Sequence, residues 1–263
     1  MTILLCVSVF LIAYLANTAT ISLFYHRGLA HGALRLHPRL RAFVARYGIW
    51  LTGIDPKGWV CMHRRHHEFS DTAADPHSPV HQGKLGVLTG QLRSYERVLM
   101  GLLRREEAYT AGVEDLDFPV SPIIQRRVWF LPYLTHLGVA VLLSVATGIW
   151  ALGPAYFLGM MSHPLEGWAV NSLGHAVGSR NFDTSDNSRN NHIAAWLMLG
   201  EGFQNNHHAW PASARFSYRA GEVDLGYGLS LALQRFGLLR IEQATLIPRA
   251  RDAAPALPVG LSE

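Results

Sequence analysis

The sequence predicts an all-α integral membrane protein with about three transmembrane spans and a cytoplasmic helical cap, folded as a single domain over residues 1–263. Three observations support this fold class. Apolar residues make up 49% of the chain and charged residues 16%. All 23 lysines and arginines lie outside two long apolar segments. Eight of the fourteen histidines fall in four short segments between or after those apolar segments, so the cap is predicted to carry a histidine-rich metal site.

The first apolar segment predicts a transmembrane helix over residues 3–24 (ILLCVSVFLIAYLANTATISLF), which carry no charge. About 20 apolar residues are enough to cross the hydrocarbon core of a bilayer. A cleaved signal peptide is the alternative. It is disfavoured because no basic residue precedes the apolar run and a histidine pair follows it at once.

The second apolar segment, residues 128–170, is too long for one span, and Gly153-Pro154 interrupts it near the middle. It predicts a hairpin of two spans at 129–150 and 151–170. His163 and Glu166 lie in the second of these, where ionisable groups are costly and often functional. A helix that leaves the bilayer early is the alternative.

The basic residues predict the orientation. Fifteen lie between residues 26 and 127 and eight lie after residue 170. Because basic residues concentrate on the cytoplasmic side, both polar regions are predicted to be cytoplasmic, and the N-terminus extracytoplasmic. No basic stripe with interleaved aromatic residues occurs, so no nucleic-acid partner is expected.

The polar regions contain weaker signals. Residues 40–60 predict an amphipathic or half-inserted helix. Residues 85–105 look helical and residues 106–123 look like a loop. The tail, about 252–263, is rich in proline and alanine and is predicted to be disordered.

The histidine spacing predicts the metal site. His63, His66 and His67 are spaced i, i+3, i+4, which places them on one side of a helix. Residues 204–208 (QNNHH) repeat this spacing with glutamine in the first place. Two further pairs complete the pattern. They are His26 with His31, five residues apart, and Asn171 with His175, four residues apart. The candidate metal ligands are His26, His31, His63, His66, His67, Asn171, His175, His207 and His208.

Eight imidazoles, with Asn171 and Gln204 beside them, exceed what one metal can bind, so two metals are predicted. Nitrogen ligands without thiolate suit iron that activates oxygen. A pair of hydrolytic zinc ions is the alternative, although such sites usually have a bridging carboxylate, and neither CxxC nor HExxH occurs. The carboxylates closest to the histidines are expected to orient the imidazole rings. They are Glu68, Asp71, Asp75 and Glu201.

Four segments together resemble a known family. They are HRGLAH, HRRHHEFSDTAADPHSP, WAVNSLGHAVG and GEGFQNNHHAWP, and the stretches 26–79 and 168–211 that contain them cover over a third of the chain. They resemble the integral-membrane fatty acid desaturases, most closely the acyl-CoA delta-9 type of bacteria and animals. The resemblance implies two iron ions bound by the eight histidines, with Asn171 binding through water, in a bacterial inner membrane with the active site on the cytoplasmic side.

Gln204 departs from this family pattern, because the acyl-CoA type usually carries histidine there. With Asp71 and Glu201 it is a candidate for either a metal ligand or a residue that supports the ligands.

The resemblance implies an oxygen-dependent desaturase that introduces a cis double bond into a saturated acyl chain carried on CoA, acyl carrier protein or a phospholipid. The sequence has neither an HPGG haem element nor a flavin-type glycine motif. A separate electron donor is therefore expected, such as ferredoxin, rubredoxin or cytochrome b5.

Positioning in an apolar tunnel is expected to select the carbon that reacts. The candidate tunnel residues are Trp50, Trp59, Trp168, Phe203 and Trp210, with membrane-interface anchoring as their alternative role. Arg64 and Arg65 are candidates for docking the donor or an acyl headgroup, with ordinary positive-inside charge as the alternative.

Two other functions stay open. A membrane hydroxylase acting on an alkane, carotenoid or sphingoid chain would share the same metal chemistry. A non-catalytic metal-binding or metal-transporting protein would be expected to place ionisable residues along several spans. That third function is disfavoured because the histidines lie outside the predicted spans.

Overall fold

The computed structural model describes residues 1–244, so the predicted tail at 252–263 lies outside the described residues. As predicted, the fold is mainly helical. The α-helices of this part are α1 Thr2–Ala19, α2 Pro38–Thr52, α3 Pro56–Phe69, α4 Pro79–Gln82, α5 Gly86–Arg104, α6 Glu107–Thr110, α7 Pro122–Gln125, α8 Leu131–Thr147, α9 Leu152–Met160, α10 His163–Trp168, α11 His192–Leu197, α12 Gln204–Ala209 and α13 Leu225–Arg235.

Helix α1 continues without a break into a π-helical segment, Thr20–Ala30. Together they form a 29-residue helix, which among residues 1–244 is the one that is long and apolar enough to cross a membrane. Its N-terminal half exposes large apolar side chains, with Ile3 81% and Ile12 70% exposed. Such a surface suits a lipid environment better than water. The predicted span 3–24 lies wholly within this helix.

The second apolar segment forms a hairpin, but its two helices are shorter than predicted. Helix α8 has 17 residues and α9 has nine. At 1.5 Å per residue, α9 rises only about 14 Å, which is about half of the hydrocarbon thickness. The helix predicted over 151–170 is therefore interrupted, since α9 ends at Met160 and α10 begins at His163. Pro164 has no backbone N–H to donate to the carbonyl of Met160, so α9 does not run on as one regular helix into α10.

Helices α1 and α9 pack closely at Gly159. A Cβ atom there would lie 2.5 Å from the carbonyl oxygen of Phe10, so only glycine permits this approach. Near the same end of α9, Asn17 donates a hydrogen bond to the carbonyl of Met160 at 2.7 Å. These contacts hold the α8–α9 hairpin against α1, close to the point where the long helix continues toward His26.

The predicted helix at 40–60 is two helices. Gly53, with a φ of 74°, ends α2 in a left-handed conformation, which glycine adopts without steric cost. Asp55 then caps α3 by accepting from the amide of Gly58 at 2.8 Å. This cap, strengthened by Pro56 in the first turn, sets the start of the helix that carries three of the histidines.

The other elements of the predicted helical cap pack around α3. Helix α5 confirms the predicted helix at 85–105, whereas the predicted loop at 106–123 contains α6 and a short 3-10 helix, Ala111–Val113. Strands β1 Leu34–Leu36 and β2 Leu239–Ile241 pair in antiparallel fashion, which ties the C-terminal part of the described chain to the π-helical segment. The main buried core lies where that segment, α2, α3 and α5 meet.

Candidate metal centre

Two groups of imidazole rings face each other inside the cap. The five-histidine group consists of His26, His31, His63, His67 and His207, and the three-histidine group consists of His66, His175 and His208. Within each group the candidate ligand nitrogens lie within 4.8 Å of one another. All eight histidines that the spacing indicated are therefore brought together, although they come from four separate segments of the chain.

The nitrogens in the five-histidine group converge. Five Nε2 atoms form a chain of contacts, from His26 to His207 at 2.9 Å, from His207 to His67 at 2.9 Å, from His67 to His63 at 3.1 Å and from His63 to His31 at 2.8 Å. Five converging nitrogens are more than the four ligands of a tetrahedral zinc site.

Helix α3 divides its histidines between the two groups. With about 100° per residue, His63 and His67 are about 40° apart around the helix axis, while His66 and His67 are about 100° apart. His63 lies between the other two, about 60° from His66, so the three share one side of α3 as expected. The rings nevertheless belong to two groups, His63 and His67 to the five-histidine group and His66 to the three-histidine group.

The π-helical segment Thr20–Ala30 positions a second close pair of histidines, His26 and His31. In a π-helix the backbone hydrogen bonds join residues five apart, and the amide of His31 donates to the carbonyl of His26 at 3.1 Å. The five-residue spacing thereby brings the two rings into an edge-on contact, with ring centroids 4.9 Å apart and ring planes at 71°. Asn171 also lies in a π-helical segment, Ala169–Leu173, and His175 follows its end, so these two do not share a regular α-helix.

Carboxylates hold four of the rings by Nδ1, which leaves each Nε2 free to bind a metal. The pairs are His26 with Glu201 at 2.6 Å, His66 with Asp75 at 3.0 Å, His175 with Asp71 at 3.0 Å and His208 with Asp186 at 2.5 Å. Carboxylate–histidine pairs of this kind orient imidazoles in metal sites. Asp71, Asp75 and Glu201 therefore lie where the sequence suggested, whereas Glu68 is exposed on α3.

The electrostatics favour neutral imidazole. Burial lowers the pKa of His208 to about 4. Burial and the neighbouring rings lower the pKa values of His31, His63, His67 and His207 well below the usual 6.5. Because a metal binds only the neutral ring, these groups are ready to bind at neutral pH. Burial opposes ionisation of Asp75, but the hydrogen bond with His66 lowers its pKa to about 2.

A small cavity of about 70 Å³ lies beside the rings. Its lining includes Asn171, Gln204, Glu201 and His77. Gln204 donates its amide nitrogen to the carbonyl of Glu201 at 2.7 Å, and Gly174 packs against it so closely that a Cβ atom would lie 2.6 Å from the Gln204 Cγ.

A second cavity of about 430 Å³ shares Met62, Gln91 and His163 with the first. The larger cavity is bounded mainly by apolar side chains of α5 and by Trp129 and Tyr133 at the start of α8. Together the two cavities make a mostly apolar route toward the histidines.

Of the five predicted tunnel residues, Trp59 lines the small cavity and stacks on His63 with ring centroids 4.9 Å apart. The other four lie outside the lining of both cavities. Trp168 donates to the carbonyl of Lys84, and Phe203 packs in a separate small core with Phe216. Trp50 and Trp210 are half-buried. The aromatic content of the sequence could not separate these packing roles from tunnel lining.

Arg64 and Arg65 bind within the chain. Arg64 contacts the carbonyls of Leu29 and Ala30 at 3.0 and 2.9 Å and forms an ion pair with Asp115 at 2.6 Å. Arg65 donates to the carbonyl of Ala108 at 2.7 Å. These contacts favour a structural role over docking.

Two residues near the rings were not singled out from the sequence. Asp186, in the loop before α11, has no spacing relation to His208 and could be found only in three dimensions. His77 lies within the second histidine segment, and its ring centroid is 4.4 Å from that of His66. The sequence Asp75-Pro76-His77, close to the other histidines of that segment, is the signal that could have identified it.

Comparison with known proteins agrees with this geometry. Residues 1–223 match the family model described as fatty acid desaturase. The chain is 32% identical to a hex-5-enoyl-[acyl-carrier protein] acetylenase of Moorena producens, over 81% of this chain and 69% of that protein. It is 31% identical to delta-9 acyl-lipid desaturase 1 of Arabidopsis thaliana, over 87% and 72%. It is 33% identical to acyl-CoA 5-desaturase AL21 of Anemone leveillei, over 82% and 65%.

These matches confirm the resemblance drawn from the four histidine segments. The family match extends well beyond those segments, through α1 and the whole of the cap as far as residue 223. The chain belongs to the fatty acid desaturase family and is an oxidoreductase that acts on acyl chains.

Proposed function

We propose that this protein uses two iron ions and molecular oxygen to introduce a cis double bond into a saturated fatty acyl chain. The observation that carries the proposal is the pair of imidazole groups, five and three rings, beside a small cavity that leads into a larger apolar one. In the overall reaction, a –CH2–CH2– unit, O2, two electrons and two protons give –CH=CH– and two waters.

The donor set fits two iron ions. The five-histidine group offers more nitrogen ligands than a tetrahedral zinc site takes, and in the three-histidine group His175 Nε2 has no hydrogen-bond partner among the described residues. Bound iron would supply the oxidant that an unactivated C–H bond requires. The residues proposed to hold it are His26, His31, His63, His66, His67, His175, His207 and His208, with Asn171 acting through water.

The chain's own residues position the reactants. The four carboxylates fix the Nδ1 sides of their rings, so the Nε2 atoms keep one orientation. Met62, Gln91 and His163 form the neck between the cavities, and Trp59 forms a rigid wall beside His63. Because a methylene carries no group for acid or base catalysis, the depth to which the acyl chain passes this neck would select the carbon pair that reacts.

We propose that the long helix crosses the membrane, with an extracytoplasmic N-terminus, and that the α8–α9 hairpin enters the same bilayer from the cytoplasmic side and returns to it. The exposed apolar side chains of α1 and α8 support this arrangement. The metal centre would then face the cytoplasm of a bacterial cell, where a separate protein such as ferredoxin, rubredoxin or cytochrome b5 delivers the electrons.

The acyl carrier is part of the proposal. Relatives are named for acyl-carrier-protein, acyl-lipid and acyl-CoA substrates, and the apolar wall of the larger cavity suits the chain common to all three. We propose that the substrate is a fatty acyl chain on one of these carriers. The domain responsible is the whole chain, residues 1–263.

Lipid analysis of a host that expresses this chain tests the function. We expect new monounsaturated chains, with one double-bond position located by mass spectrometry, and none in a host that expresses His66→Ala. Hydroxylated chains in place of unsaturated ones would support the hydroxylase instead. Unchanged lipids, despite purified wild-type protein with two irons and a working electron donor, would contradict the proposal.

A further inference from the structure

Glu166 carries a buried carboxyl group beside the metal centre. It lies on α10, 9% of its surface is exposed, and it lines the small cavity together with His63 and Asn171. Among residues 1–244, no lysine, arginine or histidine forms an ion pair with it. A buried carboxylate without a cation is costly unless hydrogen-bond donors surround it, so the groups that contact Glu166 decide whether it is ionised.

Both hydroxyl groups that contact this carboxyl have their protons committed elsewhere. The Ser162 hydroxyl is in hydrogen-bond contact with Glu166 Oε1 and also donates to the carbonyl of Gly159 at 2.9 Å. The Thr18 hydroxyl, which contacts the carboxyl as well, donates to the carbonyl of Tyr14 at 2.8 Å. A hydroxyl has one proton, and a backbone carbonyl can only accept. The proton between Ser162 and Glu166 therefore comes from the carboxyl, which makes Glu166 the neutral acid.

The second carboxyl group of this cavity, that of Glu201, is held in the opposite state. It pairs with Arg27 at 2.6 Å and with His26 Nδ1 at 2.6 Å, so it has the cation that Glu166 lacks. Its negative charge also acts on Glu166 and disfavours a second carboxylate there. Two carboxyl groups kept in opposite protonation states by their surroundings are the pattern that identifies the acid in an active site.

We propose that Glu166 is held as a neutral carboxylic acid and supplies protons to the small cavity while oxygen is reduced. The inference deepens the proposed function and rests on it, because that reaction consumes two protons in each turnover. In this step the O–H bond of Glu166 breaks, and its proton joins an oxygen atom that leaves in water. The electrons come from the donor protein and from the C–H bonds of the acyl chain. The Glu166 carboxylate then takes a proton back from solvent.

Infrared spectroscopy of the full-length protein in detergent at neutral pH tests the protonation state. Glu166→Gln keeps a hydrogen-bond donor of similar size but has no proton to transfer. Glu107→Gln is the matched control, since it makes the same change at an exposed glutamate on α6. We expect the C=O stretching band of a protonated carboxylic acid in the difference between wild type and Glu166→Gln, and no such band in the difference between wild type and Glu107→Gln.

Turnover of the iron-loaded protein tests the supply of protons. Glu166→Gln should keep the iron content and thermal stability of the wild type but form product about 100-fold more slowly, the lower limit of what a general acid usually contributes. Glu107→Gln should react at the wild-type rate. Glu166→Asp keeps a carboxylic acid and should react faster than Glu166→Gln. A packing role predicts the opposite order, because glutamine matches the size of glutamate and aspartate does not.

Two results would overturn the inference. The absence of a carboxylic-acid band from the difference between wild type and Glu166→Gln would show that Glu166 is ionised. A rate in folded, iron-loaded Glu166→Gln that equals the wild-type rate, or exceeds that of Glu166→Asp, would show that Glu166 supplies no protons.

If Glu166→Gln does not purify as a folded species, Ser162→Ala takes its place. This variant removes the acceptor of the Glu166 proton, so the band should shift, and an unshifted band would overturn the inference. A wild-type protein without iron or without product would instead contradict the proposed function. The infrared result does not depend on turnover, so the two failures are distinguishable.

Discussion

Asp71 accepts a hydrogen bond from His175 Nδ1 at 3.0 Å across 104 residues of sequence. The same carboxylate accepts from the Ser78 hydroxyl and from the Asn187 amide, each at 2.8 Å. Asp71 itself adopts a φ of 59°, a conformation that aspartate tolerates better than most residues. One side chain thus joins the loop after α3, the segment that carries His175 and the loop before α11.

The substitution Asp71→Asn should weaken binding of one iron about 10- to 100-fold, because residues that orient a metal-binding histidine contribute about that much to affinity. An amide has one acceptor oxygen, whereas Asp71 accepts on both. Chelator competition on the loaded protein measures the change. Asp117→Asn is the control, since Asp117 is exposed and pairs with Arg41 away from the rings. Equal affinity in the two variants would contradict the orienting role.

Arg27 is a buried charge whose loss should destabilise the fold. It is 0% exposed, pairs with Glu201 at 2.6 Å and with Asp224 at 3.1 Å, and lies 3.8 Å above the ring of Phe216. Arg27→Met leaves both carboxylates buried without their cation, at a cost of about 3–5 kcal/mol.

The matched control for this variant is Arg41→Met. Arg41 forms a partly exposed pair with Asp117, and loss of such a pair costs less than about 1 kcal/mol. Thermal unfolding in detergent compares the two variants. A similar small change in both would show that the buried network is not required for stability.

Acidification should destabilise the metal-free protein between about pH 6.5 and pH 4. The pKa of His208 is lowered to about 4, and the pKa values of His31, His63, His67 and His207 are lowered well below 6.5. Below pH 6.5 the unfolded chain therefore binds protons that the folded chain does not. The contribution of these five histidines to the free energy of unfolding should be constant above that value and fall as pH decreases, by up to about 1.4 kcal/mol per pH unit for each group.

Unfolding of metal-free protein at a series of pH values measures this slope, and iron-loaded protein serves as the comparison. Asp75 does not contribute in this window, because its pKa is lowered from 3.8 to about 2 and its stabilisation is lost only at lower pH. Stability that stays constant from pH 7 to pH 5 would contradict the prediction.

A reporter that is active only in the periplasm should give a signal when fused to the N-terminus and none when fused to the C-terminus. The reason is the distribution of lysine and arginine, which predicts that both polar regions lie on the cytoplasmic side. A cytoplasmic reporter at the same two positions is the control. A periplasmic signal from the C-terminal fusion would place the histidines on the side opposite to a cytoplasmic electron donor.

The sequence alone was enough for the helical fold class, a first helix long and apolar enough to cross a membrane, the family and the grouping of the eight histidines, because these depend on local spacing and composition. An uncharged run of 22 residues is long enough to cross a bilayer wherever it occurs. Histidines at i, i+4 meet on a helix without help from the rest of the chain. The family resemblance rests on the same short segments, and it extended correctly to most of the chain.

Tertiary structure decided how these parts are combined. The separation of His66 from His63 and His67 depends on which rings approach α3 from other segments. Asp186 lies 2.5 Å from His208, although no periodicity relates them. The early end of α9 and the neck between the two cavities likewise follow from packing. Contacts between residues far apart in sequence leave no local pattern, because they depend on the simultaneous placement of several helices, and only the folded chain specifies that placement.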